Sequence, residues 1–371
     1  MYGVQTCLDA ASTAQHNGKR ILIGFHVKRP HIDDSGVFES FNGKDMKILV
    51  IGVNSSGLVM PIVDEMRKQG HDVSYLENGE ISHYRYLHPA ERVANVLAKG
   101  LFRRNLKRER SALATTQYLK GFIQERYFDL AILTNPDIYT VEHLDLLRSC
   151  CGRLVCHLWD SADRMPGNLK NISKFDRVMS FDPKDIREYG FSEVTNYFPA
   201  SLQPLPANRP LQGDLFGIFS FDRERYAFIR RFLDANPDLK TRIIILADHR
   251  RKVRQANDPR VEVITAPLLG EALTVISSGY QAILDIGYAS QQGLSFRFFD
   301  ALGYEQKLVT NNPHVMTYPF YRADNIHCIS DSALHVPPTF FTSPYQPLPD
   351  EIKRMYRLDI WVTNLLSQMM Q

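Results

Sequence analysis

The sequence predicts an α/β protein of two Rossmann-like, doubly wound domains, and three observations carry that expectation. A strand, a Gly/Ser turn, an amphipathic helix and a second strand follow one another from Met46. Four prolines within twelve residues, from Pro199 to Pro210, interrupt the chain past its middle. Beyond them, strand-like and helix-like stretches alternate again up to about residue 310. A chain of 371 residues also exceeds what one core usually fills, which suits two domains.

Residues 1–45 are polar and aperiodic. They read as a poorly ordered N-terminal extension, an upstream translated segment or an expression remnant, with the folded chain opening at Met46. The run 48–53 is short and apolar and reads as a strand. Asn54-Ser55-Ser56-Gly57 turns the chain into a helix over 58–69, Gly70 ends it, and 71–76 reads as the next strand. Parallel strands joined by a helix require a right-handed crossover. Further strands are expected at 130–133, 154–158 and 177–180, completing a first domain over 46–198. Segment 199–212 is too rich in proline for a helix or a central strand and reads as a linker. A second domain, 213–335, is expected to hold strands at 215–219, 242–246, 261–264, 282–286 and 307–310, with helices at 223–233 and 295–302. The remainder, 336–371, reads as a tail ending in an amphipathic helix over 349–371 that presents Ile352, Met355, Leu358, Trp361, Val362 and Leu365.

Composition narrows the class. Forty-four basic and 41 acidic residues leave a net charge of +3, so no global field gathers nucleic acid, and the aromatics form no stacking platform on a basic strand. Hydrophobic residues make up 44% and charged ones 23%, the balance of an ordinary globular protein. The five cysteines, Cys7, Cys150, Cys151, Cys156 and Cys328, lack metal-ligand or CxxC spacing, which reads as reduced thiols in a cytoplasmic protein. No stretch reaches the ~20 apolar residues a membrane helix needs. The short run 21–25 after Lys19-Arg20 has no convincing cleavage site, so secretion is not expected. Arg103-Arg104-Asn105-Leu106-Lys107-Arg108-Glu109-Arg110 carries five cations in eight residues beside Leu101 and Phe102. On a helix, segment 101–110 suits contact with an anionic membrane; the plainer alternative is a solvated face.

The most informative stretch is 283–312, which reads strand, small-residue loop, helix, turn, strand. Gly293 allows close approach of the backbone to a ligand, and Ser295 is a good N-cap, so free amides and the positive helix end suit a diphosphate. Arg297 sits in the first turn, where a cation opposes the helix dipole unless it meets an anion. Asp300 lies three residues on, so it is either its surface ion-pair partner or a ribose ligand. Earlier in the chain, Ser220-Phe221-Asp222-Arg223 opens a helix on which Arg223 or Arg225 can reach a phosphate; an ordinary Asp222-capped helix start is the alternative.

Gly293-Leu294-Ser295-Phe296-Arg297-Phe298-Phe299-Asp300-Ala301-Leu302-Gly303, followed by Lys307-Leu308-Val309-Thr310-Asn311-Asn312, resembles the donor-site signature of GT-B glycosyltransferases. The likeness is nearest to the bacterial lipopolysaccharide and capsular polysaccharide biosynthesis proteins. Met46 to Gly52 with the turn after it, Gly217 to Tyr226, and His157-Leu158-Trp159-Asp160-Ser161 resemble further parts of that pattern, so the likeness spans 46–329. It implies two Rossmann-like domains facing each other across a cleft, the first on the acceptor side and the second holding a nucleotide-sugar. Gly293, Leu294, Ser295 and Arg297 would lie near its diphosphate and Asp300 on its ribose. Asp300 stands where many members carry glutamate, and Gln292 stands where they carry an earlier acidic residue.

The implied reaction moves the sugar to a glycan or lipid-linked acceptor, at the inner membrane if docked there. It uses no cofactor besides the donor, and no metal is expected, since no HEXXH, histidine pair or DXD is present. Asp160 and His157, past a strand end, are the candidates for the base; the alternative is that they cap and pack. Two other functions suit the same fold: a sugar-nucleotide epimerase or hydrolase, and a non-catalytic nucleotide-sugar-binding subunit of a polysaccharide assembly complex.

Overall fold

A computed structural model of the chain describes residues 45–54, 57–81, 86, 88–268 and 270–371. The expected extension, save Asp45, lies outside the described residues, as do Ser55 and Ser56 of the first turn.

The first domain runs β1 (Lys47–Gly52), α1 (Val59–Lys68), β2 (Asp72–Glu77), α2 (Asn78–Ile81), α3 (Pro89–Phe102), α4 (Leu106–Ile123), β3 (Phe128–Leu133), α5 (Val141–Ser149), β4 (Cys151–His157), β5 (Arg177–Ser180), α6 (Pro183–Tyr189) and β6 (Ser192–Glu193). Its six strands are all parallel in the order β2-β1-β3-β4-β5-β6. The second domain runs β7 (Gly213–Ser220), α7 (Arg223–Ala235), β8 (Thr241–Leu246), α8 (Arg250–Gln255), β9 (Val261–Ile264), α9 (Gly270–Ser278), β10 (Tyr280–Asp285), α10 (Phe296–Tyr304), β11 (Lys307–Thr310) and β12 (Ile326–Cys328). Its sheet, also parallel, has the order β12-β11-β10-β7-β8-β9. The two-domain expectation therefore holds. The edge strands β6 and β12 carry no sequence signal, because two or three residues are too few to show a period.

Both faces of the first sheet are covered, which is why β1 is apolar from Ile48 on. Ile48 and Val50 pack with Val59, Ile62, Val63 and Met66 of α1. Leu49 and Ile51, on the opposite face, pack with Leu119 of α4 and Leu144 and Leu147 of α5. Three short segments end the chain: α11 (Pro338–Thr342), α12 (Asp350–Arg354) and α13 (Leu358–Met370). The expected single helix over 349–371 is thus broken at 355–357. There Phe198 and Arg357 form an isolated parallel bridge, so the two crossings between domains lie side by side. Past that point α13 returns to the first sheet, where Trp361, Val362, Leu365 and Met369 join the core of α1. The proline-rich segment 199–212 is tied to the second sheet's side of the molecule: Arg209 donates to the carbonyls of Ser278 and Tyr280 at 2.8 and 3.0 Å.

Segment 101–110 is not one helix. Arg103 takes a left-handed conformation (φ 52°), and the Asn105 side chain accepts from the Arg108 amide, so α3 ends and α4 begins within it. An asparagine whose side chain competes for backbone donors favours such a break. Among the described residues, no helix is long and apolar enough to cross a membrane. Cys150, Cys151 and Cys156 are buried and Cys328 half-buried, all free thiols.

Candidate functional site

In open parallel sheets a ligand site forms beyond the carboxyl ends of the strands, where successive crossovers diverge to opposite sides. That point lies between β7 and β10 in the second sheet and between β1 and β3 in the first. A cavity of about 720 Å³ occupies both: Phe219 and Ser220 end β7, Asp285 ends β10 and Ile286 to Tyr288 follow it, and Gly57, Leu58 and Pro61 follow β1. Phe216, Ile218, Leu273 and Ile283 make one region of its wall apolar, whereas Arg164, Arg225, Tyr288 and Gln291 make another polar.

Tyr288 is held between two guanidinium groups, one from each domain. The Arg225 carbon Cζ lies 3.6 Å and that of Arg164 3.9 Å from its ring centroid. Such stacking is favourable for a cation on a ring, more so for arginine than for lysine. Asp222 caps α7 by accepting from the Arg225 amide and so fixes the turn from which Arg225 projects. Burial lowers the Arg225 pKa from its ordinary value, Asp285 and Asp222 opposing that effect at longer range. Its Nε is closed off from solvent and has no hydrogen-bond partner, and Arg225 enters no ion pair among the described residues. Arg164 pairs with Asp160 at 2.7 Å.

The loop from β10 to α10 is bound along its length by the first domain. The buried Asp182 carboxylate accepts from the amides of Gln292 and Gly293 at 2.7 and 3.1 Å while also capping α6. Ser161 donates to the Ser290 carbonyl, Asn196 to that of Leu294, and Arg187 to the Gln292 side chain. Gly293 does serve close approach, but to protein: a Cβ there would lie 2.4 Å from Phe181 Cδ2 and 2.6 Å from the Phe181 carbonyl oxygen. Ser295 caps α10, accepting from the Arg297 amide, and donates to the buried Asp285 at 2.7 Å. Arg297 and Asp300 form the expected i,i+3 pair at 2.9 Å, each about a quarter exposed (29% and 26%) on the cavity wall. Burial raises the pKa of both Asp285 and Asp300 from the usual carboxylate range, against the nearby arginines.

Of the residues singled out from sequence, Ser220, Arg225, Gly293, Ser295, Arg297 and Asp300 all line this one cavity. Leu294 is buried among Phe198, Phe298 and Leu302, and Arg223 is exposed away from it. Neither candidate base lines it. His157 lies between the rings of Trp159 and Trp361, with centroids 5.8 and 5.9 Å away, and burial pushes its pKa down to about 4. Asp160 faces Arg164. Sequence reasoning passed over Arg164, Tyr288, Asp285 and Asp182. The signal available for three of them was position, since Asp182, Asp285 and Tyr288 all follow a strand end; Arg164, four residues after Asp160, had none. Among the described residues, no group of three or more His, Cys, Asp or Glu is placed to hold a metal ion.

Two solved structures share this architecture. The lipopolysaccharide outer core galactosyltransferase WaaB, in its apo form, matches with a TM-score of 0.52 at 12% identity, over 88% of this chain and 99% of that one. AviGT4, a glycosyltransferase involved in avilamycin A biosynthesis, matches with a TM-score of 0.55 at 11% identity, over 88% and 97%. The chain has the GT-B fold, two Rossmann-like domains with parallel six-stranded sheets. No protein-family model matches it, and neither does any curated protein.

Proposed function

We propose that the chain is a glycosyltransferase that moves a sugar from a nucleotide-sugar donor to a glycan or lipid-linked acceptor of a bacterial surface polysaccharide. The observation that carries this reading is the half-buried, unpaired Arg225, stacked with Arg164 on Tyr288 in a cavity at the switch point of both sheets. Partial desolvation of a cation with no ion-pair partner is costly, and an anionic ligand lowers that cost. A diphosphate there accepts from both guanidinium groups, which stabilise the charge that builds on the leaving group as the glycosidic bond breaks. In this reading the apolar wall receives the base, and Asp300, beside Arg297 on the cavity wall, accepts from the ribose hydroxyls. Asp160 acts as a positioning residue for Arg164, holding it against Tyr288. No histidine lines the cavity among the described residues, and the two carboxylates that do are Asp285 and Asp300.

Nucleoside diphosphates test this through stability. Ligand at about a hundred times its Kd stabilises the folded chain by about 2.7 kcal/mol, read as a rise in Tm. Arg225→Gln and Asp300→Ala are each expected to abolish most of that rise. An undiminished rise in both variants rejects the site, and a screen of sugar nucleotides for turnover that finds none rejects the enzyme.

A further inference from the structure

We propose that α3 and the start of α4 form a docking surface for an anionic lipid bilayer. Helix α3 is inside out. A surface helix normally buries its apolar stripe and exposes its polar face. Here the one buried residue is polar: Asn95 donates to the Tyr86 hydroxyl at 2.8 Å and accepts from the Lys107 amide at 3.1 Å. The stripe opposite, Val93, Val96, Leu97 and Leu101, follows the i, i+3, i+4, i+8 spacing of one helical face and is 55–72% exposed. Phe102 at the end of α3 and Leu113 of α4 are also exposed, by 70% and 64%. Water is a poor solvent for such a face, whereas the boundary between headgroups and acyl chains suits it.

Charge selects the occupant. Between residues 89 and 110 seven lysines and arginines stand against Glu91 and Glu109, although the whole chain carries only +3. Lys99, Arg103 and Arg108 enter no ion pair among the described residues. A second copy docked face to face would set this positive surface against itself. The first 44 residues of the chain, with five cations and four acidic residues, offer no negative complement either. An anionic headgroup layer satisfies both the stripe and the cations that flank it. The pair of helices leaves the first sheet after the carboxyl end of β2, the edge on which Gly57 and Pro61 meet the cavity.

Sedimentation of the full chain with vesicles tests the surface without reference to catalysis. Binding is expected to vesicles of phosphatidylglycerol and phosphatidylcholine, to fall steeply with salt, and to be absent on phosphatidylcholine alone. Lys99→Glu/Arg103→Glu/Arg108→Glu is expected to weaken it at least about a hundredfold, at roughly a tenfold or less per charge. Leu97→Glu/Leu101→Glu is expected to weaken it comparably, both variants keeping the wild-type melting temperature. No binding at low salt, or equal binding by both variants, overturns the proposal. So does a dimer in solution that Leu97→Glu/Leu101→Glu dissociates while lipid is ignored. Nucleotide-induced thermal shifts are expected to be unchanged in every variant, which separates failure of this surface from failure of the nucleotide site.

Discussion

At His157 the aromatic walls of Trp159 and Trp361 leave the imidazole buried, and its pKa falls to about 4. An effective base has a pKa near the working pH and touches the proton it removes. His157 meets neither condition, and its consequence lies in stability instead. The unfolded chain binds a proton near pH 6.5, whereas the folded chain resists it until about pH 4. The contribution of neutral His157 is therefore fully present above pH 6.5 and is lost as pH falls from there through pH 4, amounting to about 3 kcal/mol. Urea midpoints at pH 7.5 and pH 5 are expected to differ more in the native chain than in His157→Gln. Taking that difference cancels the opposite pull of Asp285 and Asp300, whose raised pKa values favour the folded state as pH falls. A pH slope identical in the two proteins contradicts the assignment.

The loop between β10 and α10 shows how one element serves both domains. Its sequence, with Gly293 and Ser295, reads as a place where the backbone comes close to a ligand diphosphate. In the structure the partner is Asp182, whose carboxylate occupies the Gln292 and Gly293 amides. Asp182→Ala removes the acceptor from these two buried donors and the cap from α6, an expected loss of about 2–4 kcal/mol of unfolding free energy, read from denaturant titrations. Gly293→Ala is expected to cost about 1–3 kcal/mol, because one of the atoms in the way is the Phe181 backbone oxygen, which cannot swing aside. Full stability in either variant excludes this loop as the clamp between domains.

Across the whole molecule the decisive segment is the last one. Leu358, Trp361, Val362, Leu365, Leu366 and Met369 of α13 are all buried against the first sheet. Each such side chain contributes about 1.5–3 kcal/mol by burial, while a native domain is stable by only about 5–15 kcal/mol in total. Deletion of residues 358–371 is thus expected to unfold the first domain, although the cut lies 160 residues or more beyond that domain's last strand. Circular dichroism and solubility of the truncated chain check this. A soluble product with the native melting profile overturns it.

Local pattern by itself determined the alternation of strands and helices, the two Rossmann-like sheets and the capped start of α10. Apolar runs such as Ile48 to Ile51 and turns such as Gly70 encode a segment's own burial and direction, and those need no partner to be read. Partners were decided only by the tertiary structure. Asp182 meets Gly293 across 111 positions, Arg164 and Arg225 meet only on Tyr288, and Trp361 meets His157 only because α13 recrosses the molecule. The apolar stripe of α3 makes the same point. Its spacing marks a helix face, but which way that face turns depends on what the fold leaves beside it, and here the fold turned Asn95 inward.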